Sequence, residues 1–142
     1  MDGERLRRYI DKLGHIEERI EDIRSWLCEI EDFGDIDKKT KLAVYKAMQE
    51  VIEAATDVVA MILKDESRLP KDDYTNINKL FKIGIMDKSL REVLNEANGL
   101  RNRLVHDYNG LNDKIALKSI QHLLVPMSNF SEAVKKWMRK RE

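Results

Sequence analysis

"YIDKLGHIEERIEDIRSWLCEI", residues 9–30, decides the fold. Its apolar side chains, Tyr9, Leu13, Ile16, Ile20, Ile23, Leu27 and Ile30, follow at steps of 4-3-4-3-4-3. A helix turns once per 3.6 residues, so these steps stack on one face, whereas a strand would need strict alternation. The run is a heptad seam, the pattern of a long bundle or coiled-coil helix. The spacing predicts a first helix from about Glu4 to Phe33, broken by "FGDID", with Asp37 capping the next.

The same periodicity continues along the chain. A second helix is predicted from about Lys38 to Lys64, with Leu42, Tyr45, Met48, Ile52, Ala55, Val59 and Ile62 as its stripe. "DESRLPKDDYTN" is polar, holds Pro70, and reads as a connection; Asp73 or Thr75 then opens a short helix through Ile77, Leu80 and Phe81. "IGIMDKS" reads as a turn in which Asp87 or Ser89 caps a helix carrying Leu90, Val93, Leu94, Ala97, Leu100 and Leu104. "YNGLND" stops that helix, because Asn-Gly favours a turn and Gly110 suits a left-handed position. A last helix is predicted from Asn112 or Asp113 to the C-terminus, with Pro126 expected to kink it or divide it in two. Four main helices and a short one, joined by short connections, predict an all-α up-and-down bundle in one domain spanning 1–142.

Composition narrows the function. The 26 basic residues balance 26 acidic ones, so any nucleic-acid contact must come from a local patch. Charged residues make up 37% of the chain and glutamine is scarce, which resembles the ion-pair-rich composition of proteins from hot environments. The longest apolar run, "VVAMIL" at 58–63, is far short of the roughly 20 residues a membrane span needs. Met1 is followed by charged residues, which predicts no secretory leader and a cytoplasmic home. Cys28, the one cysteine, lies between Leu27 and Ile30 and reads as a buried reduced thiol. There is no phosphate-binding glycine loop and no HExxH, and His15, His106 and His122 lack metal-ligand spacing. His15 and His122 read as surface or satisfied helix histidines, and the carboxylates as solvated salt-bridge faces. The basic tail "KKWMRKR" suits a helix C-terminus, with an RNA-facing patch as the alternative.

One stretch departs from this pattern: "LRNRLVHDYNGL", residues 100–111. Leu90, Leu94, Ala97, Arg101, Leu104 and Tyr108 follow at 4-3-4-3-4, which puts a guanidinium on or beside an apolar stripe. Such an arginine either snorkels to an edge, pairs with a carboxylate, or has a ligand. His106 lies about 140° away around a continued helix. If the helix ends near His106, then Arg101, His106 and Tyr108 can border one pocket. Arginine binds phosphate and histidine moves protons near neutral pH, so the set suits chemistry on a phosphodiester. A 2′-hydroxyl as nucleophile would require no metal. A histidine that merely satisfies a helix C-terminus is the competing explanation.

"RNRLVHDY" resembles the signature of the HEPN superfamily, and its Arg-x4-His-x-Tyr form, with Asn after the Arg, looks like the HepT toxin branch. The resemblance extends over nearly the whole chain, through the long first helix and the "LPKDDYTNINKLFKIGIMD" segment; Pro126 departs from it. It implies a dimerising HEPN-like bundle that is a metal-independent endoribonuclease without cofactor. It also implies the toxin role in a toxin–antitoxin pair whose partner is a minimal nucleotidyltransferase. Carried over, Arg101 would bind the scissile phosphate, His106 would be general base or acid, and Asn102 would orient the site. Tyr108 would accept AMP, with Asp107 helping to position it. The alternative is a non-catalytic HEPN module that binds a nucleotide or serves a nucleotidyltransferase.

Overall fold

The computed structural model describes residues 1–106 and 110–141. Five α-helices follow in order: α1 (Gly3–Leu27), α2 (Lys38–Asp65), α3 (Asp73–Lys82), α4 (Lys88–His106) and α5 (Asp113–Lys140). A single 3-10 turn, Phe33–Asp35, lies between α1 and α2, and no strand occurs among the described residues. Every helix start is set by one device. Asp2, Asp37, Asp72, Asp87 and Asn112 each accept a hydrogen bond from the backbone N–H three residues on. A short acceptor side chain there satisfies a donor that the helix cannot.

Cross-links fix the helix directions. Arg5 and Tyr9 reach Asp65 at 3.1 and 2.6 Å, while Lys12 reaches Asp57 and His15 reaches Glu50, so α1 runs antiparallel to α2. At the start of α5, Asp113 accepts from Lys41 and Tyr45; at its end, Trp137 and Arg141 reach Glu66. Thus α5 runs parallel to α2. Arg101 near the end of α4 meets Glu53 in the middle of α2, and Leu90 near its start lies with Ile62, so α4 is antiparallel to α2. The order is the up-and-down bundle expected, with α3 against α2 and α4.

The seam is the core. Tyr9, Leu13, Ile16, Ile20, Ile23 and Leu27 are buried and join one apolar cluster with the stripes of the other helices. Among the described residues, two helix ends need a left-handed residue. Gly84 (φ 85°) closes α3, and Ser67 (φ 60°) closes α2, where Arg68 N–H bonds back to the Leu63 carbonyl at 2.8 Å.

Three expectations are corrected. Helix α1 ends at Leu27, six residues before Phe33, because Asp32 caps the 3-10 turn through Gly34 N–H and turns Phe33 back onto the core. Cys28 is exposed, not buried: it falls one residue past the seam, and its thiol donates to the Ser25 carbonyl. Helix α5 is not divided at Pro126. A mid-helix proline costs about 3 kcal/mol. Leu123, Leu124, Met127 and Phe130 are buried on either side of it, and each apolar side chain so placed contributes about 1.5–3 kcal/mol. Packing therefore outweighs the lost hydrogen bond.

Candidate active site at the end of α4

Helix α4 turns Leu94, Ala97, Leu100 and Leu104 into the core. Arg101 sits at the edge of that stripe, on the side facing α2, with its side chain 30% exposed. Its Nη2 donates to Glu53 Oε1 at 3.1 Å, and its Nη1 donates to Asn102 Oδ1 at 3.3 Å. Glu53 Oε1 also accepts from Gln49 Nε2 at 3.1 Å. Partial burial alone would raise the Glu53 carboxyl, but the bonds from Gln49 and Arg101 and the charges of Arg101 and Lys46 hold it below its usual value. The guanidinium therefore faces an ionised carboxylate. Asp73, at the start of α3, feels the Arg101 charge as well, yet its own burial keeps its carboxyl above the usual value.

Asn102 is exposed and points outward from α4. His106, four residues later, shares that face, is exposed, and occupies the last turn. His106 is the last residue of α4. Arg101 and His106 stand about 140° apart around the axis of α4. Asn102 links them, touching Arg101 and standing one turn before His106. Asp107 and Tyr108 lie outside the described residues.

The neighbouring surfaces differ in charge. Beyond Glu53, a groove of about 310 Å³ between α1 and α2 is lined by Asp11, Glu50 and Asp57 against Lys12 and His15. His15 is paired with Glu50 at 3.0 Å, a satisfied histidine as read from the sequence. Toward the start of α2, exposed Lys46 lies seven residues before Glu53, hence on the same face. In the basic tail, Lys135 pairs with Glu17 at 2.8 Å and Arg141 with Glu66 at 2.5 Å, so part of its charge is committed to the bundle. Among the described residues no group of three or more His, Cys, Asp or Glu is placed to hold a metal ion. No helix there is long and apolar enough to cross a membrane.

Sequence reasoning did not single out Gln49 and Glu53. Their four-residue spacing on α2 was visible, but nothing local shows that α4 brings Arg101 against them.

The family model of HepT-like ribonucleases matches residues 16–134, and the chain belongs to that family. A protein of Archaeoglobus fulgidus named "Putative RNase" is 33% identical over 97% of this chain and 98% of its own length. A second protein of the same organism and name is 32% identical over 95% and 94%. Among solved structures, the tri-AMPylated HEPN toxin of Shewanella oneidensis, in complex with its MNT antitoxin, superposes with a TM-score of 0.84 at 25% identity, covering 96% of this chain and 99% of that one. The cytosolic protein YutE of Bacillus subtilis, of unknown function and 14% identical, shares the fold with a TM-score of 0.80 over 94% and 90%. The resemblance read from "RNRLVHDY" and the all-helical expectation thus both hold.

Proposed function

We propose that this HepT-like ribonuclease is the toxin of a toxin–antitoxin pair and cleaves RNA without a metal ion. The observation that carries this reading is Arg101: a guanidinium at the edge of an apolar stripe, tied to Asn102, with exposed His106 one turn farther on that outward face. Arg101 binds the scissile phosphate and stabilises charge on its non-bridging oxygens. His106 removes the proton of the 2′-hydroxyl or protonates the leaving 5′-oxygen. The new O2′–P bond forms as the P–O5′ bond breaks, leaving a cyclic phosphate and a 5′-hydroxyl. Asn102 orients Arg101.

Because Arg101 and His106 diverge on one chain, the working site is a cleft between two copies, each supplying its motif. The partner of the pair is a minimal nucleotidyltransferase, and its target is Tyr108. An adenylyl group there adds negative charge beside Arg101, competes with RNA for the same cation and fills the cleft. The whole chain acts as one HEPN-like domain in the cytoplasm. The binding-module alternative is favoured by the same divergence if the protein is monomeric.

The test is cleavage of total tRNA in EDTA by the wild type and by His106→Ala and Arg101→Ala, with oligomeric state measured on the same samples. Cleavage by the dimeric wild type alone supports the reading. An active monomer contradicts the shared cleft, and equal cleavage by all three removes the motif from the chemistry.

A further inference from the structure

We propose that Glu53 of α2, held by Gln49, is the positioning residue for Arg101; this rests on the nuclease reading above and deepens it. A phosphate-binding arginine has five side-chain N–H groups and four flexible bonds. Unless its fork is fixed before substrate arrives, ordering it costs binding energy. Arg101 is fixed on one side only. Glu53 takes one proton of Nη2 and Asn102 one of Nη1, and among the described residues the other three N–H groups are not engaged. Glu53 is fixed in turn, since Gln49 donates to the same Oε1. The line Gln49–Glu53–Arg101–Asn102 thus runs from the face of α2 to the outward face of α4, where His106 stands.

The bonding distinguishes a brace from a lock. A fork-to-fork pair would occupy two parallel N–H groups and exclude phosphate from that edge. Here a single oxygen meets a single nitrogen, and the Arg101 side chain keeps 30% of its surface open. Arg19 shows the alternative: its Nη1 and Nε are shared among Glu18, Asp22 and Glu50, so it is surrounded by carboxylates on its own and the neighbouring helix. The remaining charges facing the pair are Lys46, which favours the Glu53 carboxylate, and Asp73, which sits near Arg101 from α3. The charge on Glu53 also repels phosphate, so the brace sharpens orientation at some cost in RNA affinity. The orienting effect belongs on kcat, and the repulsion, if it is felt, raises KM.

The experiment compares wild type, Glu53→Gln, Arg101→Lys and the double variant, each as the full chain. It reads single-site RNA cleavage and the NMR signal of the Arg101 Nε–H group. Glu53→Gln is expected to lower kcat by about tenfold, with KM unchanged or lower. It is also expected to turn an ordered Arg101 Nε–H signal into a motionally averaged one. The double variant should cleave as Arg101→Lys does, because Glu53 acts only through Arg101. Faster cleavage by Glu53→Gln would make Glu53 an inhibitory lock and overturn the proposal, as would unchanged kcat with an unchanged signal. An ordered signal lost in Glu53→Gln while the wild type cuts no RNA would leave the brace in place, remove the nuclease reading, and overturn the catalytic role assigned here.

Discussion

Arg5 and Arg101 both reach across to a carboxylate of α2, and they do opposite work. Arg5 lies low on the bundle wall, 16% exposed, with Nε on Asp65 and Nη2 on the Met61 carbonyl. It lies 5.6 Å from the centre of the Tyr9 ring, and the Tyr9 hydroxyl donates to the same Asp65. Trp137 packs edge-on against Tyr9 at 5.6 Å and donates to Glu66. Helices α1, α2 and α5 are thereby knotted at one end. Arg101 has a single carboxylate bond, to half-buried Glu53, a more open side chain, and an exposed neighbour in Asn102. The first arginine is held against the bundle wall, whereas the second is oriented at an edge more open to a ligand. Each engages two of its five side-chain N–H groups, so pairing with an acid does not by itself mark an arginine as structural; burial against an aromatic ring, as for Arg5, does.

The contrast can be broken most sharply at His106. His106→Ala should lower RNA cleavage by about a hundredfold or more, the usual range for a lost acid or base. Its melting temperature should stay close to that of the wild type, because the side chain is exposed; a large fall in melting would make His106 structural. Arg101→Lys keeps the charge but loses the fork, and should lower cleavage by about tenfold. Full activity in that variant would mean that charge alone suffices.

At the other end the effect should be on stability. Asp65→Ala leaves Arg5 and the Tyr9 hydroxyl without their acceptor, and should cost about 2–3 kcal/mol in denaturant unfolding while cleavage persists. A smaller effect comes from Asp113. Hydrogen bonds from Lys41 and Tyr45 hold its carboxyl below the usual value. Its stabilisation is therefore present above about pH 4, the unfolded carboxylate range, and is lost as pH falls through the lower folded value. Asp113→Asn should flatten that acid limb; an unchanged limb would assign acid sensitivity elsewhere. Cys28→Ser, on an exposed residue beyond the seam, should change stability by less than about 0.5 kcal/mol.

Much of the bundle was legible because its seam is strict. Tyr9 through Leu27 repeat at helical steps, Asp37 was readable as a cap, and Asp87 and Asn112 were each one of two candidates, whereas α3 is capped by Asp72 and not by Asp73 or Thr75. The losses have physical causes. Ile30 continues the spacing of α1, but the chain has already turned at Cys28, and spacing carries no information about where a cap competes. Pro126 is a local breaker overruled by buried neighbours, which only the tertiary fold supplies. At the site, Arg101 stood out because it interrupts an apolar stripe. Glu53 did not, because it looks like any carboxylate on a charged helix face until α4 is laid against α2.

The most direct measurement is a paired one on Arg5→Ala and Arg101→Ala: RNA cleavage in EDTA and thermal melting on the same preparations. The account predicts that Arg101→Ala loses cleavage by about a hundredfold or more while melting near the wild type. It predicts that Arg5→Ala still cleaves while melting several degrees lower, on the scale of about 4 °C per kcal/mol for a chain of this size. An Arg101→Ala protein that cleaves normally, or that loses its activity only because it unfolds, would contradict it.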